Sequence, residues 1–286
     1  MGLRLDDRWI WDVWFATDRD TCHVFYLQAS RSLGDPDARH WNVSIGHAVS
    51  RDLWRWEPVD DALAPAGRGA WDDFTTWTGS VVPFGDRWAM LYTGGCHAED
   101  GKVQRVGVAW SDDLSHWERS DRPVLEADPR YYEVLDGSPW YEQAWRDPWA
   151  FFDADDGHFH VFVTARAPVG EADGRGVIGH ARSRDLVSWE VLPPVTEPIG
   201  FGHLEVPQLV SLDDRWYLLF CSDTETQSPA RRRLGAGTGT YCLVADDRYG
   251  PYRMIGDGAL EADPAGSTYA GRIHRSRDGT PWVLAW

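Results

Sequence analysis

Three stretches of the chain are versions of one phrase: HAVSRDLWRWEPV (47–59), VAWSDDLSHWERS (108–120) and HARSRDLVSWEVL (180–192). Their shared skeleton is A-x-S-x-D-L-x-x-W. The serines of the phrase, Ser50, Ser111 and Ser183, lie 61 and 72 residues apart. Propeller blades span about 40–50 residues, so units of this length correspond to one blade plus variable loops. The repeat predicts a β-propeller.

A short run of strand-forming residues precedes each phrase and follows a charged turn. The runs are DTCHVFYLQ (20–28), DRWAMLYTG (86–94), DGHFHVFVTA (156–165) and, in a fourth unit, DRWYLLFCS (214–222). Runs of β-branched and aromatic residues between turn residues are typical of strands, and no stretch longer than about 12 residues has a clean helical period. We therefore predict an all-β chain.

The architecture that we predict is a five-bladed β-propeller with a central active-site pocket, and residues 1–286 form one domain. A fifth unit begins near Tyr269 and reaches Trp286 after about two strands. We expect either that the N-terminal residues close this blade or that it is incomplete and the natural chain continues. The repeated Trp56, Trp117 and Trp189 are expected to pack between blades.

The composition excludes several classes of partner. Lys and Arg total 28 against 45 Asp and Glu, and the net charge of −17 repels nucleic acid and anionic membranes alike. No window holds the 18 or more apolar residues of a membrane helix, and no signal peptide is visible. The four cysteines lack CxxC spacing and are expected to be free thiols. These observations predict a cytoplasmic location.

Three predicted blade-initial strands each contain one acid among apolar residues. The strands are WIWDVWFA (9–16), WRDPWAFF (145–152) and HLEVPQLV (203–210), and the acids are Asp12, Asp147 and Glu205. An unpaired carboxylate buried in a strand is unfavourable by several kcal/mol, and blade-initial strands converge on the propeller axis, so a shared polar site explains all three. Glycoside hydrolysis requires a carboxylic acid on one side of the sugar and a carboxylate on the other. A third acid can stabilise oxocarbenium charge.

The ligand that these features predict is a small neutral carbohydrate. The chain has 18 tryptophans, and indole faces pack against the apolar faces of sugars. Those near the acids, Trp11, Trp14, Trp77 and Trp149, are expected at the site. The acidic charge disfavours a phosphorylated sugar, and we expect no cofactor and no metal ligand set. The oligomeric state is left open.

At these residues the chain resembles the five-bladed β-propeller glycosidases of glycoside hydrolase families 32 and 68, which include β-fructosidases, invertases and levansucrases. The likeness covers nearly the whole chain. The segments that carry it are WTGSVVPFGDRWAMLYTG (77–94), IGHAVSRDLWRW (45–56), RDP (146–148), E-x-P (205–207) and YAGRIHRSRDGTPWVLAW (269–286).

The resemblance implies a retaining mechanism in which Asp12 is the nucleophile, Asp147 stabilises the transition state and Glu205 is the general acid/base. The positions that match the family's substrate-binding residues are Trp77, Thr78, Gln28, Trp41, Arg146 and His47. Thr78 matches the hydroxyl residue beside the nucleophile.

Two motifs depart from family 32. The sequence around Asp12 is W-D-V-W, which is closer to the W-D-S-W of family 68 than to N-D-P-N, and Glu205 is followed by Val206 where the family has Cys or Arg. These differences leave the substrate open.

The function predicted on these grounds is that of a β-fructofuranosidase-type hydrolase acting on sucrose-like or fructan-like linkages. The R-D-P and W-T-G-S motifs favour it over an inverting α-L-arabinofuranosidase or β-xylosidase of the related family 43. A fructosyltransferase uses the same residues and stays open, as does a carbohydrate-binding propeller without activity.

Overall fold

Five antiparallel sheets make up the computed structural model, which describes residues 2–235, 237–276 and 278–285. Met1, Ala236, Arg277 and Trp286 lie outside these ranges, and the last two of them belong to the predicted fifth unit. The first sheet consists of β1 (Arg8–Asp18), β2 (Thr21–Ser30), β3 (Ser44–Ser50) and β4 (Glu57–Pro58). The second consists of β5 (Thr75–Phe84), β6 (Arg87–Gly95), β7 (Arg105–Ser111) and β8 (Glu118–Arg119).

The remaining sheets repeat this order. The third consists of β9 (Arg146–Asp153), β10 (His158–Arg166), β11 (Gly176–Ser183) and β12 (Trp189–Leu192). The fourth consists of β13 (Glu205–Leu212), β14 (Arg215–Ser222), β15 (Thr238–Ala245) and β16 (Arg253–Asp263), and the fifth of β17 (Arg272–Arg275) and β18 (Pro281–Leu284). In each sheet, strands that follow one another in the chain are hydrogen-bonded neighbours.

The first strands of the sheets surround a common axis. β1 packs beside β5, β5 beside β9, and β9 beside β13. β17 connects the fourth sheet to the first. The side-chain amide of Gln208 exchanges two hydrogen bonds of 2.7 Å with the backbone of Ile273, and Arg272 Nε donates to the Val13 carbonyl at 3.3 Å. The hydrophobic clusters lie between neighbouring sheets, as blade-on-blade packing requires.

The repeated phrase builds the same turn in three sheets. Ser50, Ser111 and Ser183 each accept a 2.9 Å hydrogen bond from the backbone N–H of the leucine three residues later. That leucine has a left-handed φ of 62° to 64°. The aspartate of the phrase accepts hydrogen bonds from two following backbone N–H groups. Ser and Asp therefore stabilise a turn whose leucine is in an unfavourable conformation.

The repeated tryptophans do not all pack in the same way. Trp117 lies edge-on against Phe25 of the first sheet at 5.6 Å, and Trp189 packs against the cluster that joins the second and third sheets. Both therefore lie between blades, as predicted. Trp56 packs on Phe15 of its own sheet.

The helical segments are short. The described residues contain 3₁₀ turns at Arg31–Leu33, Pro36–Trp41, His97–Glu99 and Ala172–Gly174, and one α-helical turn at Pro229–Arg232. Within the described ranges, no helix has the length and apolar character needed to cross a membrane. All four cysteines are free thiols. The prediction of an all-β propeller is confirmed.

Candidate active site

The first strands of the first four sheets are irregular at the same place. The register of strand pairing shifts between Trp11 and Val13 in β1, between Trp77 and Gly79 in β5, and between Glu205 and Gln208 in β13. The register between β9 and β10 shifts as well. These β-bulges fall on equivalent dipeptides, and the segment before β17 contains a fifth dipeptide at the corresponding place. The dipeptides are Trp11-Asp12, Trp77-Thr78, Arg146-Asp147, Glu205-Val206 and Tyr269-Ala270.

The second residue of four of these dipeptides has a left-handed backbone. The φ values are 38° at Asp12, 57° at Asp147, 52° at Val206 and 51° at Ala270. For residues with a side chain this conformation is unfavourable by roughly 1–2 kcal/mol each, and bulges next to active sites re-aim side chains. The strained bulges bring the predicted acids to one pocket.

The pocket has a volume of about 530 Å³ and contains eight of the ten predicted site residues. These are Asp12, Asp147, Glu205, Trp11, Trp41, Trp77, Thr78 and Arg146. Both members of the first four dipeptides line it. Of these eight residues, Trp11 and Glu205 are 194 positions apart in the chain and still share one cavity.

Gln28 and His47 lie outside the pocket lining. Leu27 pairs with Trp11 and lines the pocket, and successive strand residues point to opposite faces, so Gln28 points away from it and donates to Ser44 Oγ at 3.2 Å. The His47 ring is buried, stacks on Phe25 and lies 2.9 Å from the His23 ring nitrogen. The structure therefore corrects the placement of both residues.

Two of the four tryptophans expected at the site are also misplaced. Trp14 is buried and stacks on Phe25, because it lies beyond the bulge of β1. Trp149 packs in the cluster between the third and fourth sheets, with the Arg272 guanidinium 5.3 Å from its ring. Only Trp11 and Trp77 of this group line the pocket.

Hydroxyl groups orient the two aspartates. Thr78 Oγ1 donates to Asp12 Oδ2 at 2.5 Å. Thr164 Oγ1 donates to Asp147 Oδ2 at 2.8 Å, and the Val206 N–H donates to the same oxygen at 3.1 Å. Side chains that are held by hydrogen bonds lose little additional freedom in a reaction, so both carboxyl groups are preorganised.

Asp147 has a strongly perturbed carboxyl group. Burial raises its pKa to about 7, and the nearby carboxylates of Asp12 and Glu205 add to this effect, although the Arg146 guanidinium opposes it. Perturbed acids in a cleft are typical of functional sites.

Both oxygens of Glu205 accept hydrogen bonds. Arg146 Nη2 donates to Oε1 and the Tyr269 hydroxyl donates to Oε2, each at 2.5 Å. A guanidinium only donates, whereas a hydroxyl also accepts. A proton on Glu205 is therefore compatible with Oε2, where the Tyr269 hydroxyl can turn to accept it, and not with Oε1.

The sequence did not single out several residues of the lining. Tyr269 occupies the position equivalent to Trp11 and Trp77, so alignment of the blade-initial strands could have found it. Five more lie in connecting segments without a counterpart in the repeat: Arg39, His40, Tyr141, Glu142 and Asp223. Burial and the Glu205 charge raise the pKa of Asp223. Carboxyl groups outnumber guanidinium groups in the lining, which suits a neutral ligand.

One group of side chains outside the pocket has the composition of a metal site. Ligand atoms of Asp153, Asp156 and His160 lie within 4.8 Å of one another. Asp153 already accepts hydrogen bonds from Arg248 and Tyr249, so contacts among the protein's own groups account for this cluster.

The family model for the glycosyl hydrolases family 32 N-terminal domain matches residues 14–286. The cell wall isozyme of beta-fructofuranosidase from Pisum sativum is 27% identical over 212 residues, which are 71% of this chain and 34% of that protein. A bifunctional fructosyltransferase from Allium cepa is 27% identical over 186 residues, covering 62% of this chain and 27% of that protein. The chain thus spans about a third or less of the length of these relatives.

Among solved structures, the inulosucrase from Halalkalicoccus jeotgali bound to kestose superposes with a TM-score of 0.79. It is 27% identical in sequence, and the match covers 94% of this chain and 73% of the inulosucrase.

Proposed function

The chain belongs to the glycosyl hydrolases of family 32, and from that membership we propose that it cleaves fructosyl linkages of a neutral fructoside such as sucrose or a fructan. The observation that carries the proposal is the meeting of Asp12, Asp147 and Glu205 in one pocket with an aromatic wall. Membership of family 32 also removes the rival assignment to family 43.

The first step of the proposed reaction is the attack of Asp12 on the anomeric carbon. A bond forms between the Asp12 carboxylate and that carbon while the bond to the leaving oxygen breaks, and Glu205 gives its proton to that oxygen. The Thr78 hydroxyl fixes the orientation of the nucleophile. In this proposal, the carboxylate of Asp147 stabilises the oxocarbenium-like transition state.

The second step restores the enzyme. Glu205, now ionised, removes a proton from a water molecule, whose oxygen attacks the anomeric carbon and breaks the ester bond to Asp12. Arg146 and Tyr269 contact Glu205 in both steps, and the Tyr269 hydroxyl switches between donating and accepting. Two displacements retain the anomeric configuration.

The variants Asp12→Asn and Glu205→Gln test the assignment. We expect each to lower kcat on the cleaved fructoside by at least about a thousandfold, because each removes a group that bonds to or protonates the substrate. Thermal unfolding should resemble that of the wild type. Asp86→Asn and Glu57→Gln change exposed acids in the same way and serve as matched controls.

Hydrolysis that persists in both site variants would show that the pocket is not the active site. A wild-type chain that binds fructosides in calorimetry but releases no product would instead be a carbohydrate-binding propeller. The substrates to screen are sucrose, inulin and levan oligosaccharides and aryl furanosides.

Transfer of the fructosyl group to a second sugar is the other candidate reaction. It is favoured by the similarity to the Allium cepa fructosyltransferase and uses the same first step. Product analysis at low and high sucrose separates the two reactions. Free fructose in equal amount to glucose at all concentrations indicates hydrolysis, and a deficit of free fructose at high sucrose indicates transfer.

A further inference from the structure

Glu142 lies beside the general acid/base and has no role in the reaction as described so far. It lines the pocket four residues before Arg146. Arg146 Nη1 donates to Glu142 Oε1 at 2.7 Å, and Arg146 Nη2 donates to Glu205 Oε1 at 2.5 Å. One guanidinium group therefore bridges the carboxylates of Glu142 and Glu205.

Gln104 completes the contacts of Glu142 from behind the pocket, where it is 1% exposed. Its Oε1 accepts from Arg146 Nη1 at 3.0 Å, and its Nε2 donates to Glu142 Oε2 at 2.8 Å. The two side chains are held next to each other by backbone hydrogen bonds, from Gln143 N–H to the Lys102 carbonyl at 2.8 Å and from Gln104 N–H to the Gln143 carbonyl at 3.3 Å. Donors thus face both oxygens of Glu142, as an ionised carboxylate requires.

His203 lies near both carboxylates and is uncharged. Its Nε2 is 3.4 Å from Glu142 Oε1 and its Nδ1 is 3.7 Å from Glu205 Oε1. Burial and the guanidinium groups of Arg146 and Arg166 hold its pKa well below the usual range. The other titratable groups that line the pocket around Glu205, apart from Asp147, are Asp12, Arg39, His40, Tyr141, Asp223 and Tyr269. The balance between Glu142 and Arg146 is therefore the part of this field that the Glu142 carboxylate controls.

The shared guanidinium couples the protonation of Glu205 to the charge of Glu142. A nearby carboxylate makes it harder for a second carboxyl group to lose its proton, whereas a guanidinium makes it easier. Arg146 also lies 3.5 Å from Asp147 Oδ2 through its Nε. Without the Glu142 charge, Arg146 would favour the ionised form of Glu205 more strongly, and the leaving oxygen would lose its proton donor.

We propose that Glu142 is a positioning residue that shares the Arg146 guanidinium with Glu205 and thereby keeps Glu205 protonated for the first step of catalysis. It acts through Arg146 and not through the substrate. The inference rests on the proposed function for its kinetic consequences, whereas the coupling between the two carboxylates is independent of activity.

Three variants separate the charge of Glu142 from its contacts. Glu142→Gln keeps the length and one acceptor oxygen, and Glu142→Ala removes the charge without placing a second amide beside Gln104. The double variant Glu142→Gln with Gln104→Glu exchanges the amide and the carboxylate, and every hydrogen bond of the network can form again with the roles reversed. Gln104 does not line the pocket, so a recovery in the double variant cannot come from a new contact with the substrate.

The pH dependence of kcat is the first readout. We expect the basic limb of the profile to move to lower pH by about one unit in Glu142→Gln and in Glu142→Ala, with kcat above the limb about tenfold lower. At the acidic plateau, kcat of Glu142→Gln should stay within about threefold of the wild type. The double variant should return the limb to within about 0.3 unit of its original place.

Glu190→Gln is the matched control. It removes an exposed carboxylate whose Oε2 lies 2.8 Å from Arg182 Nε, and it should leave the profile unchanged. A limb that stays in place in both single variants would overturn the proposal. A double variant displaced as far as Glu142→Gln would also overturn it, because the effect would then come from the pocket-lining side chain itself.

The coupling is also measured without turnover, whether or not the chain cleaves fructosides. ¹³C NMR of protein labelled at the glutamate carboxyl carbons follows the titration of Glu205, whose signal is assigned by its absence in Glu205→Gln. We expect the titration midpoint of Glu205 to be lower in Glu142→Gln than in the wild type and restored in the double variant. Equal midpoints in Glu142→Gln and the wild type would refute the coupling.

Discussion

Asp147 shows how the site makes the folded state less stable. Its pKa is about 7 in the folded protein against an ordinary value of 3.8, because the carboxyl group is buried beside two other acids. Between pH 4 and 7 the folded state holds a proton that the unfolded state has released. The free energy of unfolding therefore falls as the pH rises through this range.

Asp147→Asn removes the ionisation and retains an oxygen that can accept from Thr164 and the Val206 N–H. We expect the variant to be more stable than the wild type at pH 8, by on the order of 2–4 kcal/mol, and by less than about half of that at pH 5. Its kcat should be at least about a hundredfold lower. Urea denaturation at the two pH values measures the difference, and an equal difference at both would contradict the assignment.

At the scale of elements, the repeat predicted the strands and the turns but not the β-bulges. The Ser and Asp of the phrase act locally, because they accept hydrogen bonds from the N–H groups of the turn. Such local signals can be recognised in a sequence. A bulge adds one residue to a strand that is apolar on both faces and leaves no separate signal in the sequence. Three of the dipeptides that form the pocket were located through their acids, and Trp77-Thr78 was located through the family resemblance.

The turn of the third sheet tests this interpretation. The Asp185 carboxylate accepts from the N–H groups of Val187 and Ser188, at 2.9 and 2.7 Å. Asp185→Ala should lower the free energy of unfolding by about 1–2 kcal/mol, measured by urea denaturation. The turn lies at the end of the sheet opposite Arg146, so kcat should not change.

Asp86→Ala, in an exposed hairpin turn, is the control for Asp185→Ala and should change stability by less than about 0.5 kcal/mol. If Asp86→Ala lowered the free energy of unfolding as much as Asp185→Ala, the hydrogen bonds of the repeated turn would make no specific contribution to stability.

At the scale of the whole molecule, two buried histidine pairs occupy equivalent places in the first and third sheets. His23 and His47 are 2.9 Å apart, and so are His160 and His180. Burial, with the neighbouring ring, lowers the pKa of His47 to about 4 and that of His180 to about 3. The unfolded chain takes up protons near pH 6.5, before the folded one does, so stability is lost as the pH falls.

We therefore expect the free energy of unfolding to decrease below about pH 6.5, by about 2 kcal/mol per pair at pH 4. A variant with both His47→Gln and His180→Gln should show a shallower decrease. Chemical denaturation between pH 4 and 7 measures the slope. His116→Gln alters an exposed ring and should leave most of the decrease in place, and an unchanged slope in the double variant would refute the role of the pairs.

More of the three-acid site than of the loops around it could be predicted from the sequence. The acids, Trp11, Trp77, Thr78 and Arg146 share blade-initial strands, so one topological argument brings them together. The sequence analysis placed Gln28 at the site, but successive side chains of β2 point to opposite faces of the sheet, and Leu27 is the one that lines the pocket. Tyr141 and Asp223 reach the pocket from loops whose course depends on packing between distant segments, which the repeat does not encode.

The most direct test of the three-acid site is the trapping of its covalent intermediate. Protein quenched in acid during turnover of sucrose, or of the fructan oligosaccharide that is cleaved, is digested with trypsin and mapped by mass spectrometry. We predict one hexosyl ester on the peptide of residues 9–19, located at Asp12 by fragmentation. Hexose attached to Asp147 or Glu205, or turnover with a product of inverted configuration and no adduct, would contradict the assignment of Asp12 as nucleophile.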